Sequence, residues 1–150
     1  MSKLALLLLL SAAGFAETYN NARFGYSVEY PANLVPQGEA DNGDGQRFES
    51  KDKKISLAVW GILNVLNETI ASECKSAIEA EGKRRPFTAS YKVVKSDWFA
   101  FSGIAGSTVI YQKTFLKGEA FQTVRLEYPV SQKEAFDPVL KRILASFRPQ

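Results

Sequence analysis

Glu39, Asp41, Asn42 and Asp44 lie in Glu39-Ala-Asp-Asn-Gly-Asp-Gly45, the densest run of hard oxygen ligands in the chain. Cations such as calcium take several carboxylate and carbonyl oxygens on a flexible turn, so Glu39, Asp41 and Asp44 are the candidate metal ligands. The spacing departs from an EF-hand: with Glu39 as first ligand, Ser50 stands where the closing bidentate glutamate belongs. Asn-Gly and Asp-Gly are also ordinary turn dipeptides, and a solvated turn is the competing reading. Paired carboxylates can hydrolyse a bond without histidine. Glu29, Glu49 and Glu127 fall in strand-like stretches, but spacing alone brings no two of them together.

The chain contains no histidine. That removes Ser-His-Asp and Cys-His catalysis, histidine-held metals and the usual proton switch near neutral pH. Cys74 is the only cysteine, so there is no internal disulfide. It falls on the apolar stripe of an expected helix and reads as a buried, inert thiol. No catalytic residue is assigned. Trp60, Trp98 and Arg125 are the binding candidates. The two indoles could form an aromatic surface or fill the core of a covered sheet. Arg125 shares a strand face with Thr123 and Glu127, either in a site or as a cross-strand partner. Lys83-Arg84-Arg85 could touch an anionic surface or be a solvated helix end favoured by the dipole. Asn67-Glu68-Thr69 fits a glycosylation sequon and is read as a helix cap.

These residues need a scaffold, and the stretch from Trp98 to Tyr128 supplies its centre. Three segments rich in β-branched and aromatic residues, 98–102, 107–115 and 119–128, are separated by turn signals at Gly103–Gly106 and Lys117–Gly118. Residues 24–30 alternate cleanly and end at Pro31; 17–21 is at most a short edge strand. The stretch 36–46 reads as a polar, glycine-rich loop. A hairpin follows, 47–50 and 55–62, and apolar residues on both faces of its second strand predict a central strand covered on both sides. A helix is expected over 68–81, with Asn67 as N-cap and Gly82 just past its end. Residues 91–94 form a further strand. Phe136, Leu140, Ile143 and Phe147 mark a closing helix. Its start is expected as a turn over 132–136, with Asp137 re-capping and Pro138 at the first helical position.

Residues 1–16 read as a secretory signal peptide: Lys3, a short apolar run from Leu4 to Leu10, then small residues at Gly14 and Ala16 before a cleavage point. The run is far short of the ~20 apolar residues of a membrane-spanning helix, and no later stretch is longer. Residues 17–150 are one domain's worth of chain. They carry 18 basic and 16 acidic residues, a net charge of +2 with the signs interspersed, which gives no footprint for nucleic acid.

Phe24-Gly-Tyr-Ser-Val-Glu-Tyr-Pro31 resembles the opening strand of the PsbP-like fold, and Ile143-Leu-Ala-Ser-Phe147 resembles its closing helix. The order between them also matches: hairpin, helix, meander, final helix. The chain looks like one of a group of bacterial exported proteins in that superfamily. The resemblance implies an α+β domain over 17–150, a PsbP-like α/β/α sandwich with a central antiparallel sheet of six to seven strands and helices on both faces. Members include an extrinsic photosystem II subunit and a Ran-binding nuclear transport factor, which work by binding other proteins. No binding residue of either matches here position by position. The expectation is a non-catalytic periplasmic or secreted binding module, with a protein or cell-envelope component as partner, no cofactor beyond a possible calcium, and an oligomeric state the sequence leaves open, monomer being the default. The alternative is a carboxylate-dependent hydrolase or cation-binding enzyme using the 39–49 loop.

Overall fold

The computed structural model describes residues 17–150; the expected leader lies outside the described residues. Two strands, β1 (Glu17–Asn20) and β2 (Ser27–Tyr30), pair as an antiparallel hairpin. The rest of the β structure is one seven-stranded antiparallel sheet. Its strands are β3 (Val35–Glu39), β4 (Gly45–Glu49), β5 (Ser56–Leu63), β6 (Thr88–Val94), β7 (Trp98–Ala105), β8 (Thr108–Lys117) and β9 (Ala120–Pro129). Their spatial order is β3-β4-β5-β9-β8-β7-β6, so β9 is the middle strand and β3 and β6 are the edges. Burial follows from that position: eight of the ten residues of β9 are buried.

Helix α1 (Ile70–Arg84) lies on one face and α2 (Lys133–Ser146) on the other. This is the α+β sandwich expected from the sequence. Register assigns the faces, because residues directly opposite across strands share a side. Leu57, Leu126 and Tyr111 align on the α2 side, where α2 and β2 close the larger core. Phe99 and Phe101 stack on the other side beneath Ile70 and Cys74 of α1.

The covers are partial and diagonal. α1 packs over β6 and β7, whereas α2 packs against β2 and β9. The expectation that β5 is covered on both faces therefore fails on the α1 side. Leu57 and Val59 are buried, but Trp60 is only half-buried and Ile62 is exposed.

Several boundaries also differ from the sequence reading. Residues 35–39 form an edge strand instead of a loop, with an irregular register between Pro36 and Glu39. Strand pairing in β2 begins only at Ser27, because Gly25 turns at φ +75° and Asn21 ties off the turn with its side chain. Phe24 lies instead across β5, where a Cβ on Gly61 would come within 2.4 Å of its ring.

Thr69, not Asn67, caps α1, accepting from the Ser72 N–H. Asn67 adopts φ +52° in a loop held by two hydrogen bonds between the Asn64 side chain and Glu68. The helix runs through Gly82 to Arg84, because Glu81 and Arg85 are anchored to Arg125 and Glu127 of β9. Pro86 then stops it.

A 3-10 turn, Val130–Gln132, leads directly into α2, which contains Pro138 and is not re-capped at Asp137. Continuing the helix keeps Phe136 in line with Leu140 and Ile143, with its ring 4.7 Å from that of Tyr128. The hydrogen bond lost at Pro138 frees the carbonyl of Glu134, an exposed residue. Phe147 lies just past the helix end, buried against Tyr26 and Phe115.

Candidate functional site: a tyrosine-floored groove

The candidate ligands of the 39–45 stretch are drawn into other bonds. Both oxygens of Asp44 are engaged, one by Arg23 at 2.5 Å and the other by the Asn42 amide at 2.6 Å. Glu39 accepts from the Tyr19 hydroxyl at 2.7 Å. Asn21, buried, spans the gap between them and donates to the Gly43 carbonyl. Asp41 is exposed on the turn. Among the described residues no group of three or more acidic or cysteine side chains is placed to hold a metal ion.

Trp60 and Trp98 fall on opposite faces of the sheet. Trp60 aligns through Thr123 and Thr114 with Phe99, the neighbour of Trp98. They cannot form one aromatic surface. Trp98 sits on the α2 side with the Lys113 ammonium 4.3 Å from its ring and Phe115 beside it. Burial pulls the Lys113 pKa down. Arg125 is buried under α1, 2.5 Å from Glu81 and 3.6 Å from Glu127. Glu49 and Glu127 flank Ser56 on that same side, two strands apart. Each is taken by an arginine, Glu49 by Arg47 and Glu127 by Arg85, so neither turns to a shared reacting centre. Cys74 is buried, and burial pushes its thiol pKa up, as expected of an inert group.

The diagonal covering leaves a groove of about 380 Å³ between α2 and the β6–β8 half of the sheet. That volume is within the range of ligand pockets. Successive turns of α2 supply one wall, with Lys133, Asp137 and Lys141 at its rim and Leu140 and Leu144 below. The floor comes from the sheet. Tyr91, Ser102 and Tyr111 are register-mates across β6, β7 and β8, and Ile104, Val109 and Tyr128 form the adjoining row.

Tyr91 and Tyr111 are stacked at 6.4 Å. Tyr128 is only 2% exposed, and neither its hydroxyl nor that of Tyr111 has a hydrogen-bond partner among the described residues. Neither oxygen is sealed in, since the buried unpartnered side-chain atoms are those of Glu81 and Gln122. Both tyrosines line the groove, and neither hydroxyl is cut off from solvent. Burial, then the charges of Tyr91 and Tyr128, pushes the Tyr111 phenol up to about 12. Burial and the Asp137 carboxylate raise Tyr128. At neutral pH the floor consequently offers protonated phenols as donors and acceptors. Asp137 is paired to Lys141 at 2.9 Å, and Lys133 on the rim has no ion pair among the described residues.

Such a surface suits a guest with an apolar body and polar or anionic ends. The sequence reading placed the three tyrosines in strands but not in a site, because only register and the position of α2 bring them together.

No protein-family model matches this chain, and no curated protein does. In three dimensions it is similar to the solution structure of cyanobacterial PsbP (CyanoP) from Synechocystis sp. PCC 6803. The two share 10% sequence identity with a TM-score of 0.70, over 89% of this chain and 92% of that one. No helix among the described residues is long and apolar enough to cross a membrane. Sheet order, paired helices and this likeness together show that the chain has the PsbP-like fold.

Proposed function

We propose that this chain is a non-catalytic binding module, exported from the cytoplasm, that holds a partner polypeptide of the cell envelope in the groove between α2 and β6–β8. The observation that carries the reading is Tyr128: an almost fully buried side chain that lines a groove rimmed by lysine and whose hydroxyl has no hydrogen-bond partner among the described residues. A hydroxyl without a protein partner at the edge of an apolar groove can give or accept a hydrogen bond that fixes the orientation of a guest. Export rests on the leader features of residues 1–16.

The test is retention of a polypeptide from an envelope fraction on the immobilised chain. Ile104→Asp, at an exposed groove position, should abolish retention while leaving the circular dichroism spectrum unchanged. Ile62→Asp, equally exposed but on the far side of the sheet, should leave it intact. Retention unaffected by Ile104→Asp overturns the reading. A thermal midpoint raised by calcium, and no longer raised in Asp41→Ala with Asp44→Ala, would favour a cation-binding enzyme built on the 39–49 loop instead.

A further inference from the structure

The two edges of the seven-stranded sheet are built differently. β3 carries Pro36, a register irregularity and Gly38 at φ +99°, devices that blunt an edge against further pairing. β6 also has a register irregularity, between Ala89 and Tyr91, but it has no proline, pairs regularly from Tyr91 to Val94 and is exposed along most of its length. Tyr91 and Val94 on β6 and Ile104 next to it on β7 are 45%, 41% and 48% exposed. An open edge with apolar side chains on both faces is a template for an added strand.

Charge selects what can be added. From Gly82 to Ser96 the chain holds Lys83, Arg84, Arg85, Lys92 and Lys95 and not one Asp or Glu. Arg85 is neutralised by Glu127, whereas Lys83, Arg84, Lys92 and Lys95 form no ion pair among the described residues. A second copy pairing on β6 would set one cationic stretch against another, and like charges across strands are destabilising. The same lysines favour an acidic strand, so the edge excludes self-pairing while remaining open to a partner of opposite charge.

We propose that β6 receives an extended, proline-free, acidic segment of a partner polypeptide as an eighth strand. Its backbone completes the β6 ladder and its carboxylates meet Lys92, Lys95 and the Lys83–Arg84 helix end. On the α2 side its side chains lie beside Tyr91 at the mouth of the groove. The inference rests on the binding-module reading and specifies its partner.

The test uses the full chain, isotopically labelled, with two synthetic heptamers matched to β6, Glu-Val-Glu-Val-Glu-Val-Glu and its lysine counterpart. The acidic heptamer should bind saturably and slow amide exchange along β6, with the lysine heptamer about tenfold weaker or worse. Lys92→Glu, at an exposed position, should narrow or reverse that preference. N-methylation of alternate amides in the acidic heptamer should abolish binding, because it removes the ladder bonds and keeps the charge. Absence of β6 protection at millimolar heptamer, equal binding of the N-methylated form, or a β6-protected dimer without peptide overturns the proposal. Loss of heptamer binding while Ile104→Asp still controls partner retention would sink the added strand alone and leave the groove reading standing.

Discussion

Glu81 and Arg125 join α1 to the middle strand of the sheet, and their pairing sets a measurable stability. Glu81 is 5% exposed and Arg125 is 9% exposed, with 2.5 Å between Oε1 and Nη2. Glu81→Ala leaves a buried guanidinium whose one remaining ion-pair partner among the described residues is Glu127 at 3.6 Å. Breaking a buried pair from one side costs ~3–5 kcal/mol, and the residual Glu127 attraction puts this case near ~3 kcal/mol. In a domain of this size that lowers the thermal midpoint by about 6–12 °C. The pair is itself imperfect, since Glu81 Oε2 is buried without a hydrogen-bond partner. Glu81→Leu combined with Arg125→Met removes both charges and that orphaned oxygen, while Glu127 keeps Arg85. The double variant should fall within about 1 kcal/mol of the parent or exceed it. Urea unfolding followed by circular dichroism, at constant m, reads both numbers. A single variant costing under about 1 kcal/mol, or a double variant as damaged as the two singles added, would refute the ion-pair account.

Three further outcomes are expected. Phe147→Ala should cost ~3–5 kcal/mol, because the ring fills the core between Tyr26 and Phe115; an unchanged urea midpoint would show that the chain end does not close the α2 face. Cys74 should resist a thiol reagent until the chain is unfolded, and rapid native labelling would contradict its burial beneath α1. The Tyr111 phenol, raised in the fold from 10.0 to about 12, contributes stability that is whole below pH 10 and lost as pH climbs towards 12. The urea midpoint should therefore fall across that window, and fall less in Tyr111→Phe; an equal fall in both would place the phenol in solvent.

What the sequence disclosed, and what it hid, follows from the range of the forces involved. β7, β8 and β9 were legible because alternation and turn glycines are local signals, and Gly106 and Gly118 do adopt the positive φ those turns need. β3 was hidden because its residues are exposed throughout and carry no alternation. Gly82 signalled a helix end that the Glu81 and Arg85 pairs override, and Pro138 signalled a start that the burial of Phe136 overrides. Both are long-range contacts acting on local preferences. The acidic 39–45 stretch was visible as a cluster of oxygen ligands, yet Arg23 and Tyr19, about twenty residues away in sequence, claim two of its carboxylates. The groove was the least accessible feature: Tyr91, Tyr111 and Tyr128 meet only through the register of four strands and the angle of α2.

The central claim is that a partner occupies the α2 side of the sheet and not the other exposed apolar patch, Ile62 to Leu66 at the end of β5. Alkylation of Ile104→Cys and Ile62→Cys, each with Cys74 as an unreactive internal reference, tests it most directly. Both engineered thiols should label rapidly in the isolated chain. With the retained envelope polypeptide bound, labelling at 104 should slow at least tenfold while labelling at 62 stays unchanged. Protection at 62 with 104 still reactive would contradict the account.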